Sequence, residues 1–289
     1  NFQLTGKIGS DNVYIGATTG SYANANAVNG IGVSVVDLTL SGTAANNYVL
    51  DTTTLSETIG VILQAELTAT LTGSVTKTFD GNYQASLEAE NFQLTGIIGS
   101  DNVYLGPVTG TFSSANAGSN IGVSISDLAL SGTAADNYVL DTTTLAANIG
   151  TIEQATLNAT LVGPVTKIYD GNTDASLTSE NFQLAGIVGS ENVYIAARSG
   201  TYGSANAGAS INVSVDGLTL SGTAADNYVL SGPSLSNEIG TIQKAALTVI
   251  ANDAIKDGDG IAYSGGNGVA YSGFVNDETE SVLLGALAY

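Results

Sequence analysis

The chain repeats itself at a fixed interval of 90 residues, and that period limits its possible folds more than any other feature. Asn1-Phe2-Gln3-Leu4-Thr5-Gly6 returns as Asn91-Phe92-Gln93-Leu94-Thr95-Gly96 and again as Asn181-Phe182-Gln183-Leu184-Ala185-Gly186. Asp11-Asn12-Val13-Tyr14 returns at Asp101 and Glu191, Leu40-Ser41-Gly42-Thr43 at Leu130 and Leu220, and Asn47-Tyr48-Val49-Leu50 at Asn137 and Asn227. A coil of a solenoid or a blade of a propeller needs about 20–50 residues, whereas 90 residues is the size of a small domain. The expected organisation is therefore a string of similar domains.

The register sets the boundaries. Ala65-Glu66-Leu67-Thr68-Ala69-Thr70-Leu71 alternates apolar and polar residues, as does Ala155-Thr156-Leu157-Asn158-Ala159-Thr160-Leu161, and a third version reads Ala245-Ala246-Leu247-Thr248-Val249. A Lys-x-x-Asp-Gly segment follows each, at Lys77, Lys167 and Lys256. Modules then span residues 63–152 and 153–242. Residues 1–62 form a module without its first strand and its Lys-x-x-Asp-Gly turn, and residues 243–289 form the first half of a different module. Each incomplete end is expected to be completed by polypeptide, from the same long protein or from a neighbouring copy that donates a strand.

Period-two alternation predicts strands over Val103 to Leu105, Ile121 to Ile125, Asn137 to Leu140 and Ala155 to Leu161. The phase slips by one residue at Ser126-Asp127, which signals a bulge or tight bend. Gly, Asn, Asp and Ser punctuate the segments, and no window shows helical periodicity. The expected fold class is all-β: tandem small antiparallel β-sandwich-like modules, with a β-grasp-like arrangement as the alternative, in an extended string. Phe92, Val103, Ile125, Leu140, Leu157 and their 90-residue equivalents are the expected core. Tyr138 follows Asp136-Asn137 in a way that suggests either a tyrosine corner, its hydroxyl bonded to corner backbone, or a plain core tyrosine.

Composition excludes several chemistries. With 26 acidic and 6 basic residues the net charge is −20, so the chain lacks the basic footprint that phosphate backbones require, and no nucleic acid is expected as a partner. No apolar run approaches 18 residues, so membrane insertion is not expected. Cysteine and histidine are absent, which removes disulfides, thiolate metal sites and histidine-based catalysis. Paired carboxylates arise by chance among so many acids, so the chain is expected not to be an enzyme.

The Lys-x-x-Asp-Gly turns are the candidate site. Half of the six cations lie in them, and a local Lys–Asp pair that fixes the turn is the simpler account. The sharper one is calcium: Asp170-Gly171-Asn172-Thr173-Asp174 matches the start of an EF-hand loop, although position twelve is Asn181 rather than Glu. The metal candidate is therefore a weak calcium site at Asp170, Asn172 and Asp174, and no other cofactor is expected. An extracellular polysaccharide ligand would need exposed aromatics on one face; Tyr14, Tyr104 and Tyr194 recur but alternate with apolar neighbours as core aromatics would.

The Tyr169-Asp170-Gly171 turn, together with the Leu-x-Leu-Ser-Gly-Thr-Ala-Ala-Asp-Asn-Tyr-x-Leu block that begins at Leu128 and Leu218, resembles the YDG repeat of large bacterial surface proteins. Residues 247–289, with Leu247-Thr248-Val249, Tyr271-Ser272-Gly273-Phe274 and Asp277-Glu278-Thr279-Glu280, resemble the first half of an MBG-type domain. The resemblance covers nearly the whole chain. It implies filamentous-haemagglutinin-like adhesins and a structural stalk or spacer at the bacterial cell surface, in adhesion or biofilm matrix, with further modules of the same chain or neighbouring identical chains as partners. Phe79 stands where one copy would have its Tyr, and the turn at Lys256 lacks the aromatic.

Overall fold

The computed structural model describes residues 2–196 and 198–285. It is all-β, with several small sheets in tandem, and the helices among the described residues are single 3-10 turns. The chain divides into two compact units. One holds the first repeat and most of the second. The other holds the described residues from 152 onward and takes in two loops of the second repeat, Lys77–Asn82 and Ala115–Gly118.

The third repeat shows the architecture most completely. Val165–Ile168, Leu235–Gln243, Gly208–Val215, Ser199–Tyr202 and Asp174–Ser176 form a five-stranded sheet in that order. Phe182–Ala185, Ala155–Leu161 and Tyr228–Leu230 form a three-stranded sheet, and Tyr194–Ile195 pairs with Leu220–Ser221. The inward residues of these strands meet in one core that includes Leu161, Val165, Leu177, Ile195, Tyr202, Val213, Val215 and Ile242. Most pairings are antiparallel, as expected. Two are parallel: Ala155–Leu161 with Tyr228–Leu230, and Val165–Ile168 with Leu235–Gln243. Alternation is identical for parallel and antiparallel neighbours, so these two pairings left no mark in the pattern.

The phase slip at Ser126-Asp127 is a tight bend. Asp37, Asp127 and Gly217, one per repeat, all have positive φ. A second irregularity sits earlier in the same strand, where the register shifts around Ile31 and Ile211 and Gly30, Asn120 and Ser210 take positive φ. The Asn of the Asn-Phe-Gln-Leu motif closes a 3-10 turn. Asn181 Oδ1 accepts the Thr178 N–H at 2.9 Å while its Nδ2 donates to the Val162 carbonyl at 3.3 Å, and Asn91 does the same with Glu88 and Ser74.

The expected core is buried at Val103, Ile125 and Leu157 and half-buried at Phe92 and Leu140. Two expectations are corrected. Phe2 is exposed, because residues 2–5 have no strand beside them, whereas Phe92–Thr95 and Phe182–Ala185 are paired along their length. Tyr14, Tyr104 and Tyr194 are 54%, 49% and 47% exposed. Each sits in a two-residue strand whose preceding Val turns inward, so the tyrosine faces out.

Candidate functional site at the clamped Asp-Gly turns

Each Lys-x-x-Asp-Gly segment is a loop closed on its own lysine. Lys167 Nζ lies 2.8 Å from Asp170 Oδ1 and donates to both the backbone carbonyl and the side-chain Oδ1 of Asn172, at 2.8 Å each. The Asp170 carboxylate also accepts the Asn172 N–H at 3.2 Å. Lys77 repeats the arrangement with Asp80 at 2.7 Å and Asn82 at 2.7 and 2.9 Å. Lys256 pairs with Asp259 and donates to the Ile261 carbonyl at 2.6 Å. The glycine after the Asp takes positive φ, +76° at both Gly81 and Gly171, which lets the chain turn back over the ammonium. Hydrogen bonding to Lys167 and to the Asn172 N–H holds the Asp170 carboxyl below its usual pKa range.

The structure brings together two of the three candidate calcium ligands. Asp170 and Asn172 converge on one point, and the Lys167 ammonium stands there. Asp174 joins through its N–H, which donates to Asn172 Oδ1 at 2.9 Å. The oxygens that would bind a divalent cation are thus engaged with a monovalent one supplied by the chain. The ammonium also stands over an aromatic ring, with Nζ 5.4 Å from the centroid of the buried Tyr202. Tyr202 in turn donates its hydroxyl to the Val165 carbonyl at 2.9 Å.

The aromatic residue before the Asp does different work: it leaves its own repeat. Phe79 is buried and stands edge-on to Tyr228, 90 residues past its own Tyr138, with ring centroids 5.3 Å apart and planes at 77°. Tyr169 donates its hydroxyl to Glu278 in the last segment, a carboxylate that raises the hydroxyl's pKa together with burial. Gly171 packs so closely on Asn276 that a Cβ there would lie 2.6 Å from it.

A second tie accompanies the first. Asn137 Oδ1 accepts the Ala27 N–H at 2.8 Å, and Asn227 Oδ1 accepts the Ala117 N–H at 2.9 Å. Both bonds join residues 110 apart, one period plus 20. Gln64 reaches the Asp136 and Tyr138 carbonyls at 3.0 Å, and Gln154 reaches Asp226 at 3.0 Å, fixing the 3-10 turn that carries the asparagine. Sequence reasoning missed these ties. The signal was present in the recurrence of Asp-Asn-Tyr with Ala-Asn-Ala, but a hydrogen bond between different repeats has no signature within either.

This geometry is that of a tandem-repeat β protein whose recurring motif residues serve the seams between successive repeats. The YDG domain family model matches the chain three times, over residues 1–55, 64–145 and 153–235. The chain belongs to the YDG domain family. No curated protein and no solved structure matches it.

Proposed function

We propose that the chain is a structural stalk or spacer segment of a large secreted bacterial surface adhesin, working outside the cell in adhesion or biofilm matrix. The observation that carries this reading is the pair of hydrogen bonds Asn137–Ala27 and Asn227–Ala117. A chain that spends the same asparagine of each repeat on the repeat before it is built for tandem continuity. The Tyr169–Glu278 bond extends the same device to residues 243–289, which we read as the first half of an MBG-type module. Its partners in this reading are further modules of the same protein, no reaction is catalysed, and the lysine-clamped turns work without a metal.

Solution scattering and single-molecule pulling test the proposal together. Each module is about 30 Å across by compactness scaling, so a string of them should reach on the order of 100 Å. Under force a 90-residue repeat should release about 300 Å of contour. A compact globule, or one undivided unfolding event, defeats it.

The exposed Tyr14, Tyr104 and Tyr194 favour one further reading, a carbohydrate-binding repeat that acts directly on polysaccharide. Retardation of the chain in gels containing polysaccharide, abolished by replacing the three tyrosines with Ala, would establish it.

A further inference from the structure

The Asp-Gly turns of the second and third repeats share one lysine clamp, yet they meet different surfaces. In each, two residues reach out of the repeat: the aromatic before the Asp and the glycine after it. From the second repeat, the buried Phe79 stands edge-on to Tyr228, and a Cβ on Gly81 would lie 3.2 Å from Val188 Cγ1. These two partners form one unit, because the Tyr228 hydroxyl accepts the Val188 N–H at 2.9 Å. The same hydroxyl donates to Glu191 at 2.5 Å, so its proton is already committed. From the third repeat, Tyr169 donates its hydroxyl to Glu278, and Gly171 packs on Asn276. These partners also form one unit, a tight turn over residues 275–278. The Glu278 N–H closes it on the Val275 carbonyl at 3.1 Å. Asn276 and Asp277 take φ of 54° and 59°, as the two central positions of a type I′ turn require and as Asn and Asp tolerate. That turn holds a carboxylate where the tyrosine hydroxyl arrives.

We propose that the aromatic residue of the Asp-Gly turn selects the module that can follow it. A tyrosine, as at Tyr169, fits a module that presents a carboxylate on a tight turn. A phenylalanine, as at Phe79, fits a module that presents the ring of Tyr228 and the side chain of Val188. The two surfaces differ in what they offer a single oxygen atom. A tyrosine in place of Phe79 would bring a hydroxyl into a buried position beside a ring whose own hydroxyl is engaged, and burying a hydroxyl without a partner is unfavourable. A phenylalanine in place of Tyr169 would take from Glu278 a charge-assisted hydrogen bond. A mismatch is penalised in both directions, and specificity is such a difference. The proposal rests on the reading of the chain as a run of joined modules and adds which module each turn fits. Seams that proved interchangeable would refute it and leave the stalk reading standing.

The test uses point variants of the full chain read by amide hydrogen exchange. Y169F should speed exchange over residues 275–283 about tenfold or more, as the loss of a hydrogen bond to a charged group implies. E278A should act on the same amides, and the double variant should go no further than the stronger single one, because both remove one bond. F79Y should speed exchange at the Val188 amide, which the Tyr228 hydroxyl holds, and leave residues 275–283 as in the wild type. Unchanged exchange in Y169F, additive effects of Y169F and E278A, or an F79Y chain that exchanges as the wild type does overturns the proposal. Where F79Y does not fold, the Tyr169–Glu278 cycle decides.

Discussion

The hydroxyl of Tyr138 donates to the carboxylate of Asp101 at 2.7 Å and accepts the Ile98 N–H at 3.0 Å, joining points 37 and 40 residues apart. Tyr48 makes the same pair of bonds to Asp11 and Ile8, at 2.6 and 2.9 Å. Tyr228 makes them to Glu191 and Val188, at 2.5 and 2.9 Å. The hydroxyl does bond to backbone, as a tyrosine corner would, but to a loop far upstream instead of its own corner.

These bonds make the fold sensitive to alkali. Burial and the Asp101 carboxylate raise the Tyr138 pKa, burial and Glu191 raise that of Tyr228, and the Asp11 bond leads at Tyr48. A folded-state pKa above the unfolded value means full stabilisation below pH about 10, lost as pH rises through the folded values. Melting temperature should hold to pH about 9 and fall beyond about 10. Tyr138→Phe and Tyr228→Phe should each lower it at neutral pH and flatten the alkaline fall. An unchanged alkaline limb in the double variant would separate the hydroxyls from the effect.

Two glycines of the third repeat should respond in opposite ways to Ala. Gly222 has φ of 112°, and a Cβ there would lie 2.3 Å from the Asn192 carbonyl oxygen. Gly222→Ala should destabilise by at least about 2 kcal/mol, the strain and the clash together. Gly232 has open space around its Cβ position, so Gly232→Ala should range from no change to a gain of about 1 kcal/mol, through the unfolded chain. Chemical denaturation of the two variants side by side is decisive.

Leu67→Ala and Val49→Ala contrast a buried position with an exposed one. Leu67 is fully buried, so its truncation should cost about 2–5 kcal/mol. Val49 lies almost wholly in water, and its truncation should stay within about 0.5 kcal/mol. A large loss at Val49 would mean that its side chain is covered in solution.

The clamped turns predict an acid limb and little response to calcium. Asp170 is held below its usual pKa by Lys167, so its stabilisation is present above the unfolded value of about 3.9 and lost as pH falls through the lower folded one. Calcium would have to displace the Lys167 ammonium from Asp170 and Asn172. Titration calorimetry on the wild type should show no tight stoichiometric uptake; tight binding of one ion per repeat would show that the lysine yields.

The repeat, the all-β class and the bend at Asp127 were legible because each leaves a local mark: a fixed period, alternation, a phase slip. Whether Tyr104 points inward was not. A two-residue strand has no alternation long enough to assign faces, and the neighbouring Val103 already fills the inward position. The exposure of Phe2 was equally hidden, since Phe2 and Phe92 share one sequence context and differ only in what lies beside them. The Asp170 loop looked like a metal site because its oxygens do converge; that Lys167 fills the space between them depends on a side chain folding back over three residues.

The spacing of the ties has a genetic consequence. Asn137 and Asn227 each reach back 110 residues, to Ala27 and Ala117. An insertion or deletion of a whole multiple of 90 residues places an equivalent asparagine opposite an equivalent alanine and leaves every seam intact. A length change that is not a multiple of 90 keeps the seam only where an exposed loop absorbs it. Where nearest-neighbour contacts carry the coupling, the array can change its copy number without redesign of any interface. Unequal recombination between segments coding for such similar repeats would therefore lengthen or shorten the protein in whole steps, each product joined by the same ties as its parent.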